Sequence, residues 1–233
     1  MRLDKFLCEM NLGTRNKVKE NIKKGQVRVN DIVVKNPDFQ IKENTDVVCF
    51  QGQKINYRKF VYYMLNKPQG VVSATHDNTA RTVIELLKAE DRRKDVFPVG
   101  RLDKDTEGFL LLTNDGELAH NLLSPKKHVD KTYLVTLEHE ATAKDLIMLE
   151  TGVDIGEDKP TLPAKVVRAG DRKILLTIHE GKFHQVKRML QAVGNHVLSL
   201  QRISFGGLLL DTCLSPGEYR ELTENEVKLL HDA

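Results

Sequence analysis

Four consecutive apolar residues, Phe109-Leu110-Leu111-Leu112, are closed by the turn residues Asn114-Asp115-Gly116. The run is too short and too uniformly apolar for a surface helix, so it reads as a fully buried strand that the rest of the chain must cover. Gly108 opens the strand, and the segment before it reads as a loop at the strand's mouth. There Arg101, Asp103, Lys104, Asp105 and Glu107 set charges of both signs beside a dry strand, where a low dielectric strengthens their interactions.

For this loop the residues alone leave open a solvated turn and a catalytic acid, and Asp103, between Leu102 and Lys104, is the better placed acid. A calcium loop is excluded. Asp103, Asp105, Glu107 and Gly108 match the first, third, fifth and sixth EF-hand places, but the fifth wants a shorter side chain and the twelfth is Asn114 instead of a bidentate Glu. An apolar strand also follows where a helix belongs.

A chain of 233 residues, 40% hydrophobic and 30% charged, suits one large core or two domains. The net charge of +3 is unevenly spread. Residues 1–60 hold thirteen Lys/Arg against seven Asp/Glu, whereas residues 61–233 hold 23 against 26. Positive charge concentrated in one small module points to a polyanionic partner. Met1-Arg2-Leu3-Asp4-Lys5 leads straight into an amphipathic pattern with no apolar signal region, and no run is long enough to cross a bilayer. A cytoplasmic protein without a membrane partner is expected. Cys8, Cys49 and Cys213 form no CxxC pair, so reduced, mostly buried thiols are expected. His179 and His184, five positions apart, lack the one-face spacing of a helical metal pair, and no metal is expected.

Leu3, Phe6, Leu7 and Met10 recur at helical spacing, and Thr14 is placed to cap a second helix through Val18 and Ile22. Val27–Val29, Asn30-Asp31 and Ile32–Val34 read as a hairpin. Arg2, Lys5, Arg15, Lys17, Lys19, Lys23, Lys24 and Arg28 give this module a one-signed surface suited to nucleic acid. The polar stretch before Phe60 marks a linker, giving domains at 1–52 and 61–233 with residues 53–60 between them.

Further along, Val61–Leu65 reads as a strand running into the Asn66-Lys67-Pro68-Gln69-Gly70 turn, with Val71-Val72 resuming it and a short helix over 82–87. Helices are expected over 117–123 and 144–150. Tyr133, Val135 and Leu137 alternate along a strand, where core packing is the plain reading of the tyrosine. Ile174–Ile178 is another strand, and Val186, Met189, Leu190 and Val193 trace a helical stripe with Lys187 at its edge. Thr223 and Glu226 form a capping box for a last helix.

The run Gly100-Arg101-Leu102-Asp103, continuing through Thr106, Gly108 and the leucines to Thr113-Asn114-Asp115-Gly116, resembles the signature motif of the RsuA-type pseudouridine synthases. In that family the aspartate of the Gly-Arg-Leu-Asp motif is catalytic, which the resemblance carries to Asp103. The helix pair and hairpin beginning at Met1 resemble the family's S4-like RNA-binding domain. The Asn66–Gly70 and Leu214–Tyr219 turns match as well. The stretch Lys131-Thr132-Tyr133-Leu134-Val135 is similar to the motif whose tyrosine lies against the target base and serves in proton removal. His179–Met189 resembles the second signature, whose basic residue pairs with the catalytic aspartate, and so places Lys187 against Asp103. Glu107 and Phe109 depart from the commonest forms, which carry Thr and Leu, and Glu107 adds negative charge near Asp103.

What the resemblance implies is a two-part α+β protein: a small S4-like domain, then a catalytic domain on a mixed, mainly antiparallel sheet with flanking helices. It implies isomerisation of a uridine in RNA to pseudouridine by a flipped-out base, without cofactor or metal. Beside Asp103, Tyr133 and Lys187, it implies a substrate-binding set of Arg101, Lys131, Ile178, His184, Gln185 and Arg188. Lys187, where large-subunit branches tend to have Arg, favours small-subunit ribosomal RNA, with uridine 516 the expected target. Large-subunit RNA, a non-catalytic RNA-binding assembly factor, and a hydrolase using Asp103 and Glu107 are the competing readings. Nothing in the chain demands more than a monomer.

Overall fold

The computed structural model describes every residue except Asn44 and Asn56. Asn44 falls in the expected RNA-binding domain and Asn56 in the expected linker; both lie outside the described residues. Met1–Val61 and Leu87–Val96 form one compact unit, and Tyr62–Leu86 with Phe97–Ala233 form a second.

In the first unit, α1 (Leu3–Glu9) and α2 (Arg15–Lys23) bury Leu3, Phe6, Leu7, Val18 and Ile22 in one core. The Thr14 hydroxyl caps α2 by accepting from the Lys17 amide. Strands β1 (Val27–Val29) and β2 (Ile32–Val33) are joined by Asn30 and Asp31, with φ of 49° and 65°, the left-handed pair that a two-residue hairpin requires. With β3 (Val48–Phe50) and β4 (Gln53–Lys54) they form a sheet in the order β2-β1-β3-β4.

Two boundaries differ from the sequence reading. Gln53 and Lys54, expected to begin the linker, pair with Phe50 and Cys49 as an edge strand. The segment Leu87–Val96, expected within the catalytic domain, packs in the first unit. Arg93 explains its attachment: it is 5% exposed, donates to the Arg58 carbonyl at 2.6 Å and pairs with Asp95 at 3.0 Å. A polar segment looks solvated until its long-range partner is known. The thiols differ too, since Cys8 and Cys49 are half-buried and Cys213 is exposed. Cys49 follows the core residue Val48 along β3 and so points to the other face of the small sheet.

The second unit is built on β5 (Tyr62–Lys67), β6 (Phe97–Pro98), β7 (Glu107–Thr113), β8 (Lys131–Leu137), β9 (Lys165–Gly170), β10 (Lys173–Ile178), β11 (Val197–Phe205), β12 (Leu208–Leu209) and β13 (Tyr219–Glu221). Their order is β13-β5-β7-β11-β8-β10-β9, with β12 on β11 and β6 on β7. Among the described strands only β7 and β11 pair in parallel, so the class is α+β. Helices α3 (Gly116–Leu123), α4 (Ala143–Thr151), α5 (Gln185–Ala192) and α6 (Glu224–His231) flank the sheet, and α6 begins with the Thr223–Glu226 capping box. No helix among the described residues is long and apolar enough to cross a membrane.

β7 is the buried strand. Phe109 through Leu112 are 0% exposed, with Phe109 and Leu111 packed against Met64, Leu118, Leu122 and Phe205. Strand β8 alternates as expected, Tyr133, Val135 and Leu137 facing the interior. Val71-Val72 is not a strand: only a bridge from Val72 to Thr82 forms, and the expected short helix is a 3-10 turn over Val83–Leu86. The buried Ser73 hydroxyl of this segment bonds the Leu102 backbone in the loop bearing Asp103, while the buried Thr82 is satisfied by Glu85.

Candidate active site

Asp103 stands on the loop between β6 and β7, and that loop is held from below. Lys67, the last residue of β5, is 0% exposed, and its ammonium donates to the carbonyls of Pro68 at 3.0 Å, Asp103 at 3.0 Å and Thr106 at 2.8 Å. Ser73 Oγ donates to the Leu102 carbonyl at 2.9 Å and accepts from the Leu102 amide at 3.0 Å. The Gly70 amide donates to the Lys104 carbonyl at 2.8 Å. The carboxylate is thus fixed by backbone that cannot readily shift, which is what a catalytic group requires.

Helix α5 supplies the facing wall. Lys187, in its first turn, places Nζ 3.1 Å from Asp103 Oδ2 and 2.6 Å from Asp105 Oδ1. His184, in a left-handed conformation before the helix, holds Nε2 3.7 Å from Asp103 Oδ1. Burial works against the Lys187 ammonium, but its hydrogen bonds to Asp105 and Asp103 outweigh it and raise its pKa. The same bond from Lys187 holds Asp105 below the usual carboxylate value. Tyr133, Ile178 and Leu200 form the apolar side of a recess that Asp103, Arg101 and Thr106 complete. The buried Thr106 hydroxyl has no hydrogen-bond partner.

A charged aspartate paired to a lysine at the mouth of a dry strand, with a tyrosine from a second strand in the same recess, could serve several chemistries. Comparison with known proteins decides among them. The RNA pseudouridylate synthase family matches residues 61–192, and the S4 domain matches residues 1–47. The chain belongs to the RNA pseudouridylate synthase family. It is 51% identical over 236 residues to YtzG of Bacillus subtilis (strain 168), described as an uncharacterized RNA pseudouridine synthase, covering 100% of this chain and 99% of the relative. It is 44% identical to ribosomal small subunit pseudouridine synthase A of Vibrio cholerae, covering 97% of this chain and 98% of that one. The corresponding protein of Escherichia coli (strain K12) is 40% identical with the same coverage. A crystal structure of a pseudouridylate synthase, 39% identical, superposes with a TM-score of 0.71 over 99% of both chains.

Not every residue read as substrate-binding reaches the synthase's recess. Lys131 is buried and donates to the Val129 carbonyl at 2.8 Å, with its ammonium 5.6 Å from the centre of the Phe205 ring. It is directed into the core of the sheet, because alternation along β8 puts it on the buried face with Tyr133 but closer to Phe205. Arg188 turns away as well: it pairs with Glu157 at 2.7 Å, donates to the Phe183 carbonyl at 3.1 Å and bonds the Ile155 carbonyl. Gln185 lines the recess, yet its amide is already engaged. Its Oε1 accepts from the Lys182 amide at 2.9 Å and its Nε2 donates to Glu180 at 2.8 Å, so it shapes the start of α5. Lys67 and Asp105 were missed as site residues. The signal for Lys67 was available, since a lysine continuing the apolar strand Tyr62–Leu65 must be buried and must therefore find acceptors.

Burial pushes Lys67 down to about 8, against the opposing pull of Asp103, Asp105 and Glu107, and Lys131 also to about 8, with Arg202 adding to the fall. The unfolded chain holds these protons up to about pH 10.5, so from pH 8 upward it binds more protons than the folded chain. Stability contributed through Lys67 therefore rises with pH across that window. Urea unfolding of the wild type beside Lys67→Met checks this. The stability difference, wild type minus variant, is expected to increase from pH 7.5 to pH 10; a flat difference contradicts a depressed Lys67.

In the S4 domain all eight basic residues named from the sequence are exposed. Arg2, Lys5, Arg15 and Lys19 gather around Asp4 in one hollow. Several are tethered in place: Arg2 to Asp4 at 2.8 Å, Lys17 and Lys24 both to Glu20 at 3.2 and 2.5 Å, and Lys5 to Glu9 at 3.6 Å. Two lysines on one glutamate leave the face positive, which suits a phosphate backbone.

Proposed function

We propose that the synthase isomerises a uridine of small-subunit ribosomal RNA, the expected position being uridine 516. The observation that carries this reading is the Asp103–Lys187 pair at 3.1 Å beside Tyr133, in a chain whose full-length relatives include several ribosomal small subunit pseudouridine synthases. The bond from ribose C1′ to uracil N1 breaks, the base turns while bound, a bond from C1′ to C5 forms as the C5 proton leaves, and N1 takes up a proton in its place. No electron enters or leaves, so the reaction balances without a redox partner.

In this reading Asp103 is the anionic partner of the ribose or the uracil ring, and the Lys187 ammonium, 3.1 Å from its Oδ2, holds the carboxylate in place. Tyr133 presents its ring to the base and its hydroxyl to the C5 proton. A stacked uridine cannot reach these groups, so the nucleotide is flipped out at a cost of a few kcal/mol, recovered from contacts in the recess and along the basic S4 face. Arg101 and His184 line the entrance and supply part of that recovery. The synthase acts as a monomer.

Carbodiimide mapping of product RNA tests substrate and position together. Incubation with protein-free small-subunit RNA, large-subunit RNA and partly assembled small subunits is expected to produce one new primer-extension stop, confined to small-subunit RNA. Stops only in large-subunit RNA, or none in any substrate, contradict the proposal.

A further inference from the structure

Phe183 is 73% exposed and belongs to neither hydrophobic core. The segment carrying it is nonetheless firmly held. The Phe183 carbonyl accepts from Arg188 Nη1 at 3.1 Å, and the preceding Lys182 amide is fixed by the Gln185 side chain at 2.9 Å. One face of the Phe183 ring is occupied by the His184 imidazole, with centroids 3.8 Å apart and planes 19° from parallel. His184 in turn holds Nε2 3.7 Å from Asp103 Oδ1, so a contact series runs from the carboxylate through the imidazole to an exposed aromatic ring. That ring belongs to the same cleft as Asp103, Lys187, Arg101 and Lys104.

An exposed, immobilised aromatic face with cations around it is the arrangement that single-stranded nucleic acids use for base stacking. We propose that Phe183 is the stacking platform for the base of a nucleotide adjoining the target uridine, holding the RNA open while the uridine enters the recess. Geometry assigns it a neighbouring base, because Phe183 lines the outer cleft and not the recess that Tyr133 lines. Stacking tolerates any base, so the contact adds affinity and register without reading sequence. The inference rests on the RNA-isomerase reading above.

The test uses the full-length protein and an RNA fragment spanning the mapped uridine, with 2-aminopurine placed on its 5′ or 3′ side. Phe183→Leu keeps the apolar bulk and removes the aromatic face; Phe183→Tyr keeps the face. For Phe183→Leu, KM is expected to rise about tenfold with kcat within about twofold, and the 2-aminopurine quenching seen with wild type is expected to disappear. Phe183→Tyr is expected to restore both. Wild-type KM and quenching in Phe183→Leu would overturn the platform while leaving the isomerase reading intact. Absence of pseudouridine formation by the wild type would instead remove the reading on which it rests.

Discussion

Asp103→Asn is expected to bind ribosomal RNA as the wild type does and to lose at least about a thousandfold in turnover, the scale of loss when a group acting directly on the reacting atoms is removed. The substitution keeps shape and removes charge. Lys187 is left with Asp105, already its nearer partner at 2.6 Å, so no buried ammonium is orphaned. Asp103 and Lys187 each retain 27% exposure, and the lost ion pair is worth no more than about 1 kcal/mol in such a setting. Unfolding by urea should therefore change little, while turnover collapses. Asp105→Asn is the control that separates the two acids. It is expected to cost less than about tenfold, because Asp105 is 69% exposed and touches Lys187 from outside the recess. Equal losses in the two variants would mean that net charge around Lys187, and not the Asp103 carboxylate, is what the chemistry needs.

Gly108→Ala is expected to be the most damaging single methyl added near the site. Gly108 sits at φ 101° where β7 meets β11 in parallel, and a Cβ there would lie 2.2 Å from the Arg202 carbonyl oxygen and 2.8 Å from its amide nitrogen. Neither atom can move alone. Arg202 is buried, and its Nε donates to the Phe109 carbonyl at 2.7 Å, so shifting its backbone would disturb both strands. Backbone strain of this kind together with forced separation of two central strands places the cost at about 3–5 kcal/mol. The melting temperature of the catalytic unit is expected to fall by on the order of 10 °C. Thermal unfolding followed by circular dichroism reads it directly, and an unchanged midpoint would mean that β7 and β11 do not approach so closely.

Much of the architecture was legible because it is written in short-range patterns. Phe109–Leu112, the alternation through Tyr133, Val135 and Leu137, the stripe of Val186, Met189 and Leu190, and the Thr223–Glu226 box each need only a few neighbouring residues to be recognised. What escaped depends on partners far along the chain. Lys67 gains its meaning from carbonyls at positions 103 and 106, Arg93 from the carbonyl at 58, and Arg188 from a loop at 155–157. Gln185 shows a second limit: a polar residue in a signature motif can be spent on starting a helix instead of touching a substrate. Lys131 shows a third: expected to bind substrate, it is buried, and its ammonium is taken up by the Val129 carbonyl and lies by the Phe205 ring.

In the proposed reaction the site moves a uracil from nitrogen to carbon attachment without releasing it. Small-subunit ribosomal RNA carrying tritium at uridine C5 puts that claim to the test most directly. The wild-type protein is expected to release one tritium to water for each RNA molecule, with no free uracil, an intact RNA chain, and pseudouridine recovered on nuclease digestion. Free uracil with an abasic ribose would show a hydrolase, and bound RNA with no tritium released would show a binding factor; either result contradicts the account.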